Sequence, residues 1–141
     1  MKGFTLFEVL IVVAIMTILF SLTIPLGLSF YRNQQLGVHS QGIVQVLRMA
    51  QLKSISAEDD SSFGVYLTND NYILFKGSSY LTRDPQYDQN FNLPLIINVS
   101  GLREIIFSKL EGKPNVSGNI VLISDENSIK IHINEIGTIS Y

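Results

Sequence analysis

The sequence predicts an α+β protein in which a long N-terminal helix packs on a C-terminal antiparallel β-sheet head. Three observations predict it. The first thirty residues are almost wholly apolar, the next stretch repeats apolar residues at helical spacing, and apolar and polar residues alternate after residue 62. The 141 residues suffice for one modest domain with an appendage. The chain has no cysteine, which excludes disulfides and a thiolate nucleophile.

The apolar N-terminal segment is long enough to cross a membrane as a helix. Arg32 is the first formal charge after Glu8, and about 20 apolar residues span the hydrocarbon core. The run is longer than the apolar region of a secretory signal peptide and lacks a convincing A-x-A cleavage site. We therefore expect it to be retained. Lys2 precedes it and favours a cytoplasmic N terminus, with the C-terminal part exported.

Glu8 is the one acidic residue of this segment. A charged side chain inside lipid costs about 3 kcal/mol on insertion scales and normally has a partner. The simplest interpretation is that Glu8 lies at the membrane interface in contact with water. The residues around it support a second interpretation.

The stretch KGFTLFEVLIVVAI, extended to Pro25, resembles the N terminus of the type IV pilin and pseudopilin superfamily. The resemblance implies that a prepilin peptidase cuts between Gly3 and Phe4 on the cytoplasmic side of the membrane. It also implies that the same enzyme methylates the new amino terminus of Phe4. Glu8 and Pro25 then occupy the positions at which that family carries its acidic residue and its helix-bending proline.

Cleavage would place the ammonium group of Phe4 at the start of an apolar helix. A buried charge is strongly unfavourable alone and tolerable when it is paired. We therefore predict that Glu8 of one subunit pairs with the Phe4 ammonium of a neighbour and sets the stagger between subunits in a filament.

The hydropathy and the resemblance divide the chain into four segments. Pro25 removes a backbone donor and should kink or locally melt the helix. Beyond it, an apolar stripe is the surface on which we expect the head to pack; it comprises Ile43, Val44, Leu47, Ala50 and Ile55. The segments are a leader (1–3), a membrane-spanning and filament-core helix (4–28), an amphipathic helical stem (29–57) and a β-rich globular head (58–141).

The head reads as a series of hairpins, interrupted by a long polar loop at 77–94. Four aromatic residues in or near that loop either cover the sheet, which we favour, or form an adhesive surface for a ligand; they are Tyr72, Tyr80, Tyr87 and Phe91. The predicted strands are Phe63–Leu67, Tyr72–Phe75, Leu95–Val99, Glu104–Phe107, Asn119–Ile123 and Ile129–Ile133, and Thr138–Tyr141 follows Gly137.

The order of elements in the head also resembles the GspH/FimT-type minor pilins and pseudopilins. The matching positions are Phe107, Gly112, Gly118 and Gly137. This resemblance implies a subunit of low abundance that helps to start or cap a filament.

No motif in the sequence indicates catalysis, and we do not expect an enzyme. His39 and His132 are the only histidines, and no serine lies in a G-x-S-x-G setting. We expect no cofactor or metal, with calcium as the one alternative, because calcium takes oxygen ligands from acidic loops. The acidic loops are Asp59-Asp60, Asp84 with Asp88, and Asp125-Glu126; none has EF-hand spacing, and solvated turns are the favoured interpretation.

The charge distribution disfavours nucleic acid as a partner. The net charge is -2, and the basic residues of the head are interleaved with acidic ones. A surface that follows phosphates needs a denser basic patch. The basic residues in question are Arg83, Arg103, Lys109, Lys113 and Lys130.

The sequence thus predicts a structural subunit of a type IV pilus or a type II secretion pseudopilus. We expect it first as a single-pass protein of the bacterial inner or cytoplasmic membrane, with its head outside the cytoplasm, and then in the filament. The partners that the resemblance implies are other pilins or pseudopilins, prepilin peptidase, an inner-membrane platform and an assembly ATPase. Two alternatives stay open: a filament-tip module that binds DNA, an exoprotein or a surface, and a signal-anchored membrane protein that never polymerises.

Overall fold

The computed structural model describes residues 3, 5–125 and 127–141, and the side chains of residues 22–28 lie outside the described part. The described chain consists of helix α1 (Leu6–Ile55), strands that follow it, and short 3-10 turns. It divides into two compact units, Met1–Gln34 and Gln35–Tyr141. The predicted α+β class is confirmed. The finer division at residues 3, 28 and 57 stays a prediction.

The first unit contains the N-terminal part of α1. The helix continues through Pro25 without a break in secondary structure, so the local melting that we allowed for is not observed. A kink stays a prediction, since the Pro25 side chain lies outside the described residues. Among the residues that the structure describes, no helix is both long and apolar enough to span a membrane.

The second unit contains the C-terminal part of α1 and two four-stranded antiparallel sheets. Strand order is β3-β2-β1-β5 in the first sheet and β4-β6-β7-β8 in the second. The strands are β1 (Phe63–Leu67), β2 (Asn71–Lys76), β3 (Gln89–Asn92), β4 (Asn98–Gly101), β5 (Glu104–Phe107), β6 (Gly118–Ser124), β7 (Asn127–Ile133) and β8 (Ile139–Ser140).

The apolar stripe of α1 forms one wall of the core. Ile43 and Leu47 are fully buried among side chains from both sheets, including Phe107 and Ile131. Ile55 is a correction to the predicted stripe, because its side chain is 44% exposed. The helix ends at this residue, so only one side of Ile55 meets the loop that follows β5.

The predicted head differs from the structure most clearly in two places. The apolar run after Pro94 was predicted as a strand from Leu95, but β4 begins at Asn98. The N–H of Ile97 donates to the Pro94 carbonyl at 2.9 Å, which closes a turn there. Strand β3 lies inside the segment that was predicted as a loop. Its Gln and Asn residues show no alternation of apolar and polar side chains, and its pairing with β2 is a contact between distant parts of the fold.

Three of the four aromatic residues cover the sheet, as we favoured, whereas Tyr87 is 45% exposed. Tyr72 is buried and stacks on Phe91 with ring centroids 5.1 Å apart. Tyr80 stacks on Tyr66 at 4.0 Å, and the Arg83 guanidinium lies 3.6 Å from the Tyr80 ring centroid. The loop between β2 and β3 is therefore packed on the first sheet through the ring of Tyr80.

Candidate functional site

The start of α1 is capped by Thr5. The backbone N–H of Glu8 lies 3.1 Å from the Thr5 carbonyl and 3.3 Å from Thr5 Oγ1. A threonine oxygen that accepts from the third helical residue satisfies a donor that has no partner inside the helix. The pair Thr5-x-x-Glu8 also has the spacing of a capping box. Glu8 is thus part of a local helix-start signal, in addition to the pairing between subunits that the sequence predicts for it.

Glu8 lies in the first turn of α1, where the positive end of the helix dipole favours a carboxylate. Its side chain is exposed and shares a shallow surface groove with Val9, Val12 and Val13. Among the described residues, no basic side chain forms an ion pair with the Glu8 carboxylate. An acidic group therefore lies on an otherwise apolar face.

The remaining polar side chains of this helical segment are satisfied by the helix itself. Thr17 Oγ1 donates to the Val13 carbonyl at 2.7 Å, and Ser21 Oγ donates to the Ile18 carbonyl at 2.8 Å. Hydroxyls bonded in this way do not need water. Between residues 6 and 21, Glu8 is consequently the side chain that would require an external partner if the helix surface were buried.

The other predicted site residues are placed only in part. Gly3 is exposed and precedes the helix, and no heavy atom lies within 4 Å of where a Cβ would be. Phe4 lies outside the described residues, as does the side chain of Pro25. The structure brings Gly3 and Glu8 to the same end of α1, and the roles predicted for all four residues stay predictions.

Gln51 joins the helix to two glycine turns in the second unit. Its Nε2 donates to the carbonyls of Gly112 at 3.0 Å and Gly137 at 3.1 Å. Both glycines have positive φ, 64° and 89°. A Cβ on Gly137 would lie 2.4 Å from Gln51 Nε2, so a side chain there would displace the amide. This arrangement fixes the two turns on the helix.

Three of the six acidic residues considered for calcium are engaged by basic side chains. Asp59 pairs with Lys76 at 3.2 Å, and Asp88 pairs with Arg83 at 2.8 Å. Asp60 pairs with Lys109, whose hydrogen bond and charge lower the pKa of the Asp60 carboxyl. Glu126 lies outside the described residues. Within the described part, no three His, Asp or Glu side chains are grouped as a metal site would require.

The two histidines are far apart in the sequence and have different surroundings. His39 lies on α1 and is half-buried, and burial lowers its pKa. His132 is exposed on β7, with Nδ1 2.9 Å from Asn119 Oδ1. No serine nucleophile is among their hydrogen-bond partners in the described residues.

Sequence reasoning missed two residues. The capping role of Thr5 could have been predicted from the T-x-x-E spacing, which is a recognised helix-start signal. Gln51 had no local signal, because its partners lie 61 and 86 residues further along the chain.

Comparison with known proteins gives one match. Residues 1–24 match the model of the prokaryotic N-terminal methylation motif. No curated protein matches the chain, and no solved structure does. The match covers the segment that contains Gly3, Phe4 and Glu8, and it confirms the resemblance to the type IV pilin and pseudopilin superfamily that this segment predicted.

Proposed function

We propose that this chain, which carries the N-terminal methylation motif of type IV pilin-like proteins, is a minor structural subunit of a type IV pilus or a type II secretion pseudopilus. It is processed by prepilin peptidase, which cuts after Gly3 and methylates Phe4. Before assembly, the subunit resides in the bacterial inner or cytoplasmic membrane with its head outside the cytoplasm. A platform protein and an assembly ATPase then extract it into a filament. The chain catalyses no reaction.

The observation that carries this proposal is the methylation motif over residues 1–24. The exposure of the helix that follows supports it. Leu6, Phe7 and Phe20 are 83%, 71% and 64% exposed on α1. A contiguous apolar surface of this kind is costly in water and marks a membrane or protein contact. In the proposed cycle, lipid covers this surface first and the helices of neighbouring subunits cover it later.

Glu8 has a specific part in this cycle. When apolar helices pack together, its carboxylate loses water and requires a positive partner. The Phe4 ammonium, created by the cut, is the positive group that the same chemistry supplies on a neighbouring subunit. Their pairing favours one stagger between subunits over others.

The assignment to the GspH/FimT type, and hence to a minor subunit, rests on four positions of the head. Gly112, Gly118 and Gly137 all have positive φ, and Phe107 is fully buried. The resemblance of the sequence rests on these same four positions. Copy number relative to other pilins is the quantity that tests it.

The test is quantitative mass spectrometry on sheared surface filaments and on matched membranes from the native cell. The expected result is a chain that begins at methylated Phe4 and occurs in filaments at a low ratio to the major pilin. A Gly3→Val variant provides the control, since it should keep Met1 and accumulate in membranes.

Three results would contradict the proposal in different ways. An intact Met1 form confined to membranes would favour the signal-anchored alternative. A high ratio in filaments would make the chain a major subunit. A filament-tip location with specific retention of DNA or an exoprotein would favour the binding-module alternative.

A further inference from the structure

A cavity of about 310 Å³ lies between the C-terminal end of α1 and the segment that leads into β3. Phe63 and Leu74 line it, and both side chains are buried. The register of β1 and β2 places these two side chains on the same face of the first sheet. The cavity therefore has an apolar inner wall. Its volume is at the lower end of the range of about 300–1,000 Å³ for small-molecule sites.

Tyr87 also lines this cavity, and it is the aromatic residue that does not cover the sheet. Its position is fixed from two sides. Lys76 Nζ lies 4.2 Å from the centroid of the Tyr87 ring, and the backbone N–H of Tyr87 donates to the Asp84 carbonyl at 3.2 Å. A half-exposed tyrosine held in one place beside a cavity offers an apolar ring and a polar hydroxyl to a ligand.

The charged side chains of the lining are neutralised within the head. Three ion pairs do so; they are Lys53–Glu58 at 2.5 Å, Asp59–Lys76 at 3.2 Å and Asp88–Arg83 at 2.8 Å. Each charged residue of the lining thus has an opposite charge beside it, so net charge is not the property by which this cavity would select a ligand.

The polar groups of the lining nevertheless form hydrogen bonds of both kinds. The amides of Gln86 and Gln89 can donate and accept, and a carboxylate that is paired once keeps lone pairs that can accept again. Hydroxyl groups also donate and accept. A neutral ligand that carries several hydroxyls therefore matches this lining better than a cation or an anion does.

Both polar walls of the cavity are formed in the absence of a ligand. In the turn after α1, Ala57 and Asp59 have φ values of 50° and 51°, a conformation that is uncommon for residues other than glycine and is often found at ligand sites. On the opposite side, Asp84 caps the turn Pro85–Tyr87 by accepting from the Gln86 N–H at 3.1 Å. A site that is already ordered loses less entropy on binding.

We propose that this cavity binds one neutral sugar unit of a glycan outside the cytoplasm. A sugar ring has an apolar C–H face, which lies against Phe63, Leu74 and Tyr87, and hydroxyls, which bond to the carboxylates and amides of the lining. The small volume admits a single unit. This inference goes beyond the proposed filament function, from which it takes only the location of the head outside the cytoplasm.

The test is an NMR titration of the full chain in a detergent without a sugar headgroup, followed through the backbone amide signals. The probes are the methyl glycosides of glucose, galactose, mannose and N-acetylglucosamine, which represent the end of a glycan chain. At least one of them should give saturable shifts at Phe63, Tyr87 and Gln89 in the millimolar range. Free lysine and N-acetylneuraminic acid, which are charged, should give none at these amides.

Three variants make the test specific. Tyr87→Ala removes the exposed ring and should weaken binding at least about tenfold, whereas Tyr87→Phe keeps the ring and should retain most of the affinity. Leu81→Ala is the matched control, because Leu81 is an exposed apolar residue of the same loop that does not line the cavity. It should leave binding unchanged. If Tyr87→Ala lowers the temperature of thermal unfolding, Gln86→Ala is used in its place, and it should also weaken binding.

Absence of shifts with all four glycosides would overturn the sugar site and leave the filament function intact. Equal affinities in Tyr87→Ala and the unaltered chain would overturn this cavity as the place of binding. A larger response to lysine or to N-acetylneuraminic acid would overturn the neutral class of ligand, and binding of the free sugars without their methyl glycosides would overturn a glycan as the source. Incorporation into filaments is measured separately, so failure of the proposed function is distinguishable from each of these results.

Discussion

The N-terminal part of α1 and the second unit use the same kinds of apolar side chain in opposite ways. Leu6, at the start of α1, is 83% exposed, whereas Leu47, in the part of α1 that belongs to the second unit, is fully buried. Both residues are leucines on one helix, so local helix propensity does not distinguish them. The difference lies in what surrounds each side chain: the strands of two sheets cover Leu47, and the described chain does not cover Leu6.

This contrast teaches where each region obtains its stability. The second unit buries its apolar surface against its own strands, so its stability is a property of the single chain. In the proposed cycle, the apolar surface of residues 6–21 gains its free energy from lipid or from other subunits. Substitutions in the two regions should therefore affect different measurements, folding in one case and assembly in the other.

The largest expected effect is on assembly. Glu8→Gln keeps the size of the side chain and removes its charge, which would leave the Phe4 ammonium buried without a partner at a cost of about 3–5 kcal/mol. Incorporation into sheared filaments, measured by quantitative mass spectrometry, should fall by roughly a hundredfold or more. The thermal unfolding of the second unit in detergent should be unchanged.

The matched control for this experiment is Thr5→Ala, which removes the cap and keeps the charge. Loss of a threonine cap costs about 1 kcal/mol, so incorporation should fall much less than in Glu8→Gln. Equal losses in the two variants would mean that Glu8 acts only as part of the helix-start signal.

A core substitution should give the reverse pattern. Leu47→Ala removes a fully buried side chain and should lower the free energy of unfolding of the second unit by about 2–5 kcal/mol. Prepilin cleavage, read from the N-terminal peptide, should be unaffected. The exposed Leu52 offers the comparison, since Leu52→Ala should change stability by no more than about 0.5 kcal/mol.

The glycine turns should show a smaller effect on folding. Gly137→Ala places a Cβ on a residue with a φ of 89° and against Gln51 Nε2. The strain of a left-handed residue is about 1–2 kcal/mol, and the loss of the Gln51 hydrogen bond adds to it. Chemical denaturation in detergent should show this loss, while Gly37→Ala, where no atom lies within 4 Å of the added Cβ, should not be destabilising.

The smallest expected effect is on the pH dependence of folding. Burial lowers the pKa of His39, so the unfolded chain binds a proton more readily than the folded chain. The contribution of His39 to the free energy of unfolding is complete above its ordinary pKa of about 6.5 and declines as the pH falls below that value. His39→Gln should reduce the loss of thermal stability between pH 7 and pH 5. An equal or steeper loss in the variant would contradict this assignment.

The elements that the sequence predicted well are those with local signals. Phe63, Val65 and Leu67 alternate with Gly64 and Tyr66, and β1 has the predicted bounds. The turn at Thr68–Asn71 is rich in turn-forming residues, and the N–H of Thr68 donates to the Asn71 carbonyl at 2.8 Å. In such segments the side-chain pattern alone indicates which face is buried.

The elements that the sequence did not predict depend on distant contacts. Gln89–Asn92 becomes a strand because it pairs with β2, and nothing in its three polar residues and one phenylalanine indicates that partner. The separation of the strands into two sheets likewise follows from register and not from local composition. At the candidate site, the Glu8 motif was readable from adjacent residues, whereas the hydrogen bonds of Gln51 required the folded chain.

The double hydrogen bond of Gln51 has a consequence for how this sequence can change during evolution. One amide group holds the turns at Gly112 and Gly137, so the fitness effect of a substitution in either turn depends on the residue at position 51. Once Gln51 is replaced, part of the penalty for altering each glycine disappears, and the order in which mutations arise determines which are tolerated. The three positions, separated by most of the head in the sequence, should therefore change together or not at all.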